Sequence, residues 1–389
     1  MIKATRGGFG PGLVIGLVLG LALAVGLAAV TGVVFGEDED AISQARETIE
    51  ANYFEATDPE RLDDASIEGI VRELRKRYDD RFSHYFNEEQ LRQFESLTSG
   101  SFTGVGLEVS EIARGLRVAA VYPDTPAQRA GIEVGDVITE VEGESIAGVP
   151  AEVSTAQIKG PRGTEVELSV KPAEGGGLRL LTVERSDVRV PAVDAEVRRI
   201  DGAEVAHVGF FTFSEGAHGE LRETIERLYR DGAEGLVLDL RGNGGGLLNE
   251  AILSSSIFVE DGTIASTESR TRGGRTYEAV GDAIEPRPTV VLVNRDTASA
   301  SEILAAALQV NDLATVVGTR TFGKGTFQEV IELEEGGALD LTVGQYLTAD
   351  GTSILGTGVK PDVRVADDPE TERTDEALDR ALEVVSSQP

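Results

Sequence analysis

Two segments carry side chains that could do chemistry together. Asn294-Arg-Asp-Thr-Ala-Ser-Ala-Ser-Glu302 places a serine where a helix should begin, and Thr321-Phe-Gly-Lys-Gly-Thr-Phe-Gln328 places a lysine between two glycines. A serine hydroxyl is a weak nucleophile until a neighbouring base takes its proton. A lysine can be that base only as a neutral amine, which requires burial to lower its pKa by several units. The chain has six lysines against thirty arginines, so a lysine held between Gly323 and Gly325 is a pointed choice. The expectation is Ser299 as nucleophile and Lys324 as base. Phe322 and Phe327 would give apolar cover, and Gln328 a hydrogen bond that orients the amine. The Ala300 N–H, unpaired at the start of the helix, would help to hold an oxyanion. The plainer alternative makes Ser299 or Ser301 a helix cap and Lys324 a turn residue.

A third segment, Asp239-Leu-Arg-Gly-Asn-Gly-Gly-Gly246, joins an apolar strand to a helix. Its glycines let the backbone turn sharply and approach a ligand. The N–H groups of Gly245 and Gly246 are candidates for the second oxyanion donor, although a tight strand–helix turn would also explain them. Gly318 to Gly325 nearly matches a phosphate-binding loop. The match fails because Gly325 stands where a magnesium-binding Ser or Thr is needed, and because a strand-like run follows where a helix must start. None of His84, His207 and His218 sits at a strand end beside a glycine-rich turn, and His207 falls inside an apolar strand, so a histidine triad with Ser299 and Asp239 is disfavoured. No histidine–carboxylate spacing suggests a metal site, and no cofactor is expected.

These side chains must be positioned by an α/β framework. Val205 to Phe211, Gly235 to Leu240, Thr289 to Val293 and Ala314 to Val317 read as strands, the last three as continuous apolar runs of the kind buried on both faces. Helices over 215–229, 247–258 and 299–309 alternate with them, which argues for a mostly parallel sheet. Residues 101–187 read as a small β-rich module, with strands near 105–109, 116–121, 135–141 and 166–170 and a helix over 150–158. In the region before it, Ile67, Ile70, Val71, Leu74 and Tyr78 fall on one face of an amphipathic helix.

The chain has 389 residues and a formal charge of −32, from 36 basic and 68 acidic residues. Such acidity opposes nucleic-acid binding by phosphate neutralisation. The absence of cysteine excludes disulfides, cysteine nucleophiles and thiolate metal sites. Gly12 to Phe35 is uncharged over 24 residues, long enough to cross a bilayer of about 30 Å. Lys3 and Arg6 before it favour a cytoplasmic N-terminus with the remainder outside. A cleaved signal peptide is the rival. Gly12, Gly16 and Gly20 could let two such helices pack closely, which leaves a homo-oligomer open.

Taken in order, seven segments resemble the carboxy-terminal processing peptidases, the tail-specific serine proteases. They are Ser101–Leu107, Ala130–Ile138, Lys159–Thr164, Asp239–Gly246, Thr297–Glu302, Phe322–Gly325 and Gly356–Asp362. The resemblance implies a ClpP/crotonase-like core with Ser299 as nucleophile, Lys324 as base and Gln328 as its partner. It also implies that the β-rich module is a PDZ domain. Such a domain takes a peptide as an added strand and captures its terminal carboxylate with backbone N–H groups. Gly104, Val105, Gly106 and Leu107 would form the carboxylate loop. One departure is Lys159, where relatives commonly carry arginine.

The expected organisation is a cytoplasmic segment 1–11, an anchor 12–35, helices over 37–100, a PDZ domain 101–187, a peptidase core 188–366 and a tail 367–389. The expected partners are protein or peptide substrates with free C-termini, and the membrane through the N-terminal helix. Two alternatives stand beside this: an inactive PDZ scaffold that only binds C-terminal peptides, and an acyl-CoA enzyme on a crotonase-like core.

Overall fold

The apolar run Thr289–Val293 is buried along its whole length, as a strand covered on both faces must be. It lies inside a six-stranded sheet. The structure is a computed structural model that describes residues 41–200, 202–334, 336–367 and 375–388. It divides into two compact units, one ending at Tyr78 and one from Asp79 onward.

In the first unit, helices α1 (Ala41–Asn52) and α2 (Pro59–Tyr78) are joined by Arg46, whose Nη1 donates to the Asp63 carboxylate at 2.7 and 2.8 Å. The expected apolar stripe lies in α2, yet only Val71 is buried, and Ile70 and Tyr78 are exposed. The anchor expected over 12–35 lies outside the described residues. Among the described residues, no helix is long and apolar enough to cross a membrane.

The second unit opens with β1 (His84–Phe86), α3 (Glu88–Thr98) and β2 (Ser101–Gly104). The β-rich module follows with β3 (Leu107–Ile112), β4 (Gly115–Val121), α4 (Pro126–Arg129), β5 (Val137–Val141), β6 (Glu144–Ser145), α5 (Ala151–Ile158), β7 (Glu165–Lys171) and β8 (Arg179–Glu184). Its antiparallel sheet runs β3-β4-β5-β7-β8, with β6 beside β5. Leu116, Ile138, Leu168 and Val170 fill its core. Strand β9 (Ser186–Arg189) pairs with β2, so chain entry and exit form one ribbon.

The remainder comprises β10 (Val193–Ile200), β11 (Ala203–Phe210), α6 (Ala217–Arg230), β12 (Gly235–Asp239), α7 (Leu248–Ser255), β13 (Thr263–Glu268), β14 (Arg275–Glu278), β15 (Thr289–Val293), α8 (Ala300–Val310), β16 (Thr315–Gly318), β17 (Thr326–Glu332), β18 (Ala338–Thr348), β19 (Val363–Arg364) and α9 (Glu376–Ser386). The six-stranded sheet runs β10-β11-β12-β15-β16-β19. All its pairs are parallel except β10 with β11. Helices α6, α7 and α8 cover one face, where Leu221, Ile225, Ala251 and Leu304 pack on Phe210, Leu236 and Leu238. Helix α9 covers the other, with Leu378, Ala381 and Leu382 against Val205, Val237 and Leu292. Part of the expected polar tail is thus a docked helix.

The expectation of a mostly parallel sheet needs correction. It describes only the six-stranded sheet; antiparallel ladders predominate across the described residues. The core has a second sheet, ordered β1-β18-β13-β14 with β17 on β18, and all its pairs are antiparallel. Its long strand β18 is mostly half-buried. Such strands lack the continuous apolar runs that marked the parallel ones.

Candidate active site

Strand β15 ends at Val293, and α8 begins at Ala300. Between them the Thr297 hydroxyl donates to the Leu240 carbonyl at 2.8 Å and pins the turn to the end of β12. Ser299 sits on that turn with φ 58° and ψ −118°. Positive φ at a residue other than glycine costs about 1–3 kcal/mol and persists where the surroundings enforce it. A strained serine between a strand and a helix is the arrangement that exposes a nucleophile in hydrolases.

The enforcing group is Glu302, which is wholly buried. Its Oε2 accepts the Ser299 N–H at 2.8 Å and the Lys324 N–H at 2.9 Å. Its Oε1 accepts the Gly323 N–H at 2.8 Å and the Thr321 hydroxyl at 2.5 Å. Four donors converge on one carboxylate, so its charge is fully hydrogen-bonded, as a buried charge requires. The segments bearing Ser299 and Lys324 are therefore held together by their backbones.

Gly323 and Gly325 flank Lys324 because the chain is crowded there. A Cβ on Gly325 would lie 2.4 Å from the Leu355 nitrogen, and one on Gly323 would lie 3.0 Å from the Gly358 nitrogen. The Lys324 amine stands 4.8 Å from the centre of the Phe82 ring. Burial pushes this amine below the ordinary lysine range, and the charge of Asp340 opposes that shift. Asp340 is itself pushed up by burial, against the pull of Lys324 and His84.

The cover expected from Phe322 and Phe327 is thus supplied elsewhere. Phe322 is 55% exposed, and Phe327 packs on Tyr346 with ring centres 5.4 Å apart. Gln328 lies at the expected place on β17, but its Nε2 donates to the hydroxyls of Thr326 at 3.3 Å and Thr342 at 3.1 Å. Thr342 in turn donates to Asp80 at 3.1 Å. Asp80 also accepts the Ser83 hydroxyl and the Phe82 and Ser83 amides. Gln328 therefore braces the turn that presents Phe82 to the lysine. Tyr346 is buried beside the Lys324 loop: its N–H donates to the Gly325 carbonyl at 2.7 Å, and burial raises the pKa of its phenol.

The glycine turn closes against the serine. A Cβ on Gly245, at φ +102°, would stand 2.8 Å from the Ala298 carbonyl, 2.9 Å from the Ala300 nitrogen and 2.9 Å from the Ser299 Cβ. The Gly245 N–H is committed to Asn243 Oδ1 at 2.8 Å, which corrects its expected role as an oxyanion donor. Among the described residues, the N–H groups of Gly246 and Ala300 have no hydrogen-bond acceptor. Asn243 is fully buried and ties three segments together. Its Nδ2 donates to Phe210, and its carbonyl accepts from Ala298 and Ser301.

In the β-rich module, Gly104 ends β2 and Leu107 opens β3. Between them the Val105 carbonyl accepts from Ala127, and that of Gly106 accepts from Tyr122. Gly106 has φ +92°, and a Cβ there would stand 2.3 Å from Thr125. Strand β3 is an edge strand paired only with β4. Its other side is available for an added strand. Helix α5 lies alongside, with the Ala151 N–H donating to Glu111 at 2.9 Å. Lys159, at the end of α5, lies 5.5 Å from the centre of the Phe102 ring.

His207 takes no part in this site. Its Nε2 lies 3.2 Å from Asp239 and its Nδ1 3.3 Å from Glu196. Alternation along β11 and β12 puts His207 and Asp239 on the α9 side of the sheet, whereas α8, which follows Ser299, packs on the opposite side. Asp239 serves Arg241, which also makes a two-pronged pair with Asp375, the cap of α9.

Sequence reasoning missed Glu302, Asn243, Tyr346, Phe82, Asp80 and Asp340. One signal was present for Glu302: Ser-x-x-Glu before an apolar helix is the capping-box spacing. Nothing local marks Phe82 or Tyr346, which meet the site only through the antiparallel sheet.

A PDZ-type groove joined to a core with a strained serine and a half-buried lysine defines a class of serine peptidase. Comparison with known families agrees. The model of peptidase family S41 matches residues 204–365, and that of the PDZ domain matches residues 117–172. The carboxy-terminal processing protease CtpA of Bacillus subtilis is 36% identical over 326 residues, covering 84% of this chain and 68% of that protein. A CtpA-like serine protease of Staphylococcus haemolyticus is 33% identical, with 84% of this chain and 64% of that protein covered. A solved structure assigned to the S41 proteases, from Bacteroides fragilis, has the same fold at TM-score 0.53 and 18% identity, covering 90% of this chain and 98% of that one. The chain belongs to peptidase family S41, among the carboxy-terminal processing serine proteases.

Proposed function

We propose that this chain is a membrane-anchored endopeptidase that takes protein substrates by their C-terminal tails and cuts them with Ser299 and Lys324. The observation that carries the reading is the shared carboxylate of Glu302, which brings a strained serine and a half-buried lysine to one place. Neutral Lys324 accepts the Ser299 proton as Oγ bonds to the scissile carbonyl carbon. The Ala300 and Gly246 N–H groups are the proposed oxyanion donors. Lys324 then gives its proton to the leaving amine as the C–N bond breaks, and water releases the acyl group with the same base.

The tail enters as a strand on the free edge of β3, with its carboxylate at Val105, Gly106 and Leu107. The uncharged stretch 12–35 supports anchoring, with the peptidase outside the cytoplasm. The test uses an unfolded protein with a free or an amidated C-terminus, given to the wild type and to Ser299→Ala. Cleavage should need Ser299, and amidation should raise KM. An active Ser299→Ala variant would sink the reading. Binding of tails without any Ser299-dependent cleavage would favour the scaffold alternative.

A further inference from the structure

A cleft of about 940 Å³ lies beside the segments that lead into Ser299 and Lys324. Its wall carries Arg295, Arg320, Lys360 and Arg364, with the Phe322 ring among them. All four cations are exposed. The ion pairs among the described residues involve other cations. Arg320 is oriented by a bond from its Nη1 to the Thr357 carbonyl at 2.8 Å. In a chain of net charge −32, a cleft lined by four cations is a local reversal of sign.

We propose that this cleft is a substrate subsite that selects an acidic stretch of the polypeptide being cleaved; the proposal rests on the endopeptidase reading above. Three features point to this ligand. Arginine forks match carboxylates in a two-pronged geometry. The volume is near the upper end of single-ligand pockets, with room for several residues instead of one small anion. The exposed Phe322 ring beside the cations suits a chain that carries apolar as well as acidic side chains. The walls also join the cleft to the chemistry. Arg295 is four residues before Ser299, and Phe322, two residues before Lys324, donates its N–H to the Thr297 carbonyl at 3.0 Å. A chain cut at Ser299 can therefore extend into it. The overall negative field repels acidic chains at long range, so the preference comes from contact.

The test compares two unfolded, tail-bearing substrates that differ only in a block of four glutamates or four glutamines beside the cleavage site. Each is given to the wild type and to the Arg295→Gln/Arg364→Gln double variant. The glutamate substrate should have the lower wild-type KM, and added salt should erode that advantage. In the double variant its KM should rise about tenfold with kcat held, a size fitting the loss of two exposed charge contacts. The glutamine substrate should be unaffected. Equal effects on both substrates, or no effect on the glutamate one, overturn the proposal. Should neither substrate be cut in a Ser299-dependent way, the endopeptidase reading fails on its own, and binding still decides the cleft. A fluorescent glutamate peptide should then bind Ser299→Ala more tightly than Ser299→Ala/Arg295→Gln/Arg364→Gln. Equal binding, or displacement by millimolar inorganic phosphate, overturns the subsite.

Discussion

The backbone amides of Ser299 and Lys324 donate to the same atom, Oε2 of Glu302, at 2.8 and 2.9 Å. A helix start and a glycine-flanked loop, 25 residues apart in sequence, are thereby fixed to each other through their backbones. Glu302 is a positioning residue in this arrangement.

Replacing Glu302 by alanine should strand four donors in a dry interior. The expected loss is about 3 kcal/mol of stability, read as a lower midpoint in urea. Turnover should fall by about a hundredfold in the folded fraction. Glu302→Gln keeps one acceptor oxygen and should lie between. Unchanged turnover in folded Glu302→Ala would separate the carboxylate from catalysis.

The proposed nucleophile and base act as a unit, so single and double losses should coincide. Ser299→Ala, Lys324→Ala and the pair should each reduce kcat by roughly 10⁴-fold or more, with no further loss in the pair. Circular dichroism should show an intact fold. Multiplicative losses would mean that the two side chains work separately.

The rate should depend on pH through Lys324. Only the neutral amine accepts a proton, so kcat/KM should rise with pH and level off above the amine's pKa. Burial lowers that pKa, and Asp340 raises it. Removing the charge in Asp340→Asn should therefore move the acidic limb of the profile to lower pH. A shift to higher pH would contradict the assigned environment.

Gly245 touches the serine so closely that no side chain fits. Gly245→Ala would meet the Ala298 carbonyl, the Ala300 nitrogen and the Ser299 Cβ within 3 Å. The serine and the helix start should shift together, lowering kcat by about a hundredfold. Gly148→Ala, also at positive φ but with no atom within 4 Å, is the control for backbone strain alone. Equal losses of activity in the two would remove the steric account.

Helix α9 is fastened by Arg241 between Asp239 and Asp375. Burial alone would raise both carboxyls, but their hydrogen bonds, to His207 and Arg241 for Asp239 and to Arg241 and Leu378 for Asp375, hold them below the usual range. Their contribution is present above the ordinary carboxylate pKa of about 4 and is lost as pH falls through the lowered values. Melting temperature should drop over that acidic window, and Arg241→Met should flatten the drop. His207, whose pKa is raised by Asp239 and Glu196 against the effect of burial, contributes in the opposite sense, below its ordinary pKa and less as pH rises.

Much of this was written locally. Thr289–Val293 is read correctly because a strand buried on both faces must be apolar throughout. The turn before α8 and the glycine clamp at Lys324 are legible because backbone geometry limits the residues that fit. The antiparallel sheet was not legible, because half-buried strands such as β18 share their pattern with surface segments. The lysine's cover was misassigned for the same reason. Phe322 and Phe327 are its neighbours in sequence, whereas Phe82 reaches it through a turn braced by Asp80, Ser83 and Thr342.

The sequence by itself determined which atoms could react, since a hydroxyl, an amine and glycine amides are properties of residue type and local backbone. Only the tertiary structure decided which of them meet and in what surroundings. An amine loses its proton when distant segments exclude water from it, and an N–H is free or spent according to what folds against it. Those are sums over contacts between residues far apart in the chain, and no short window of sequence contains them.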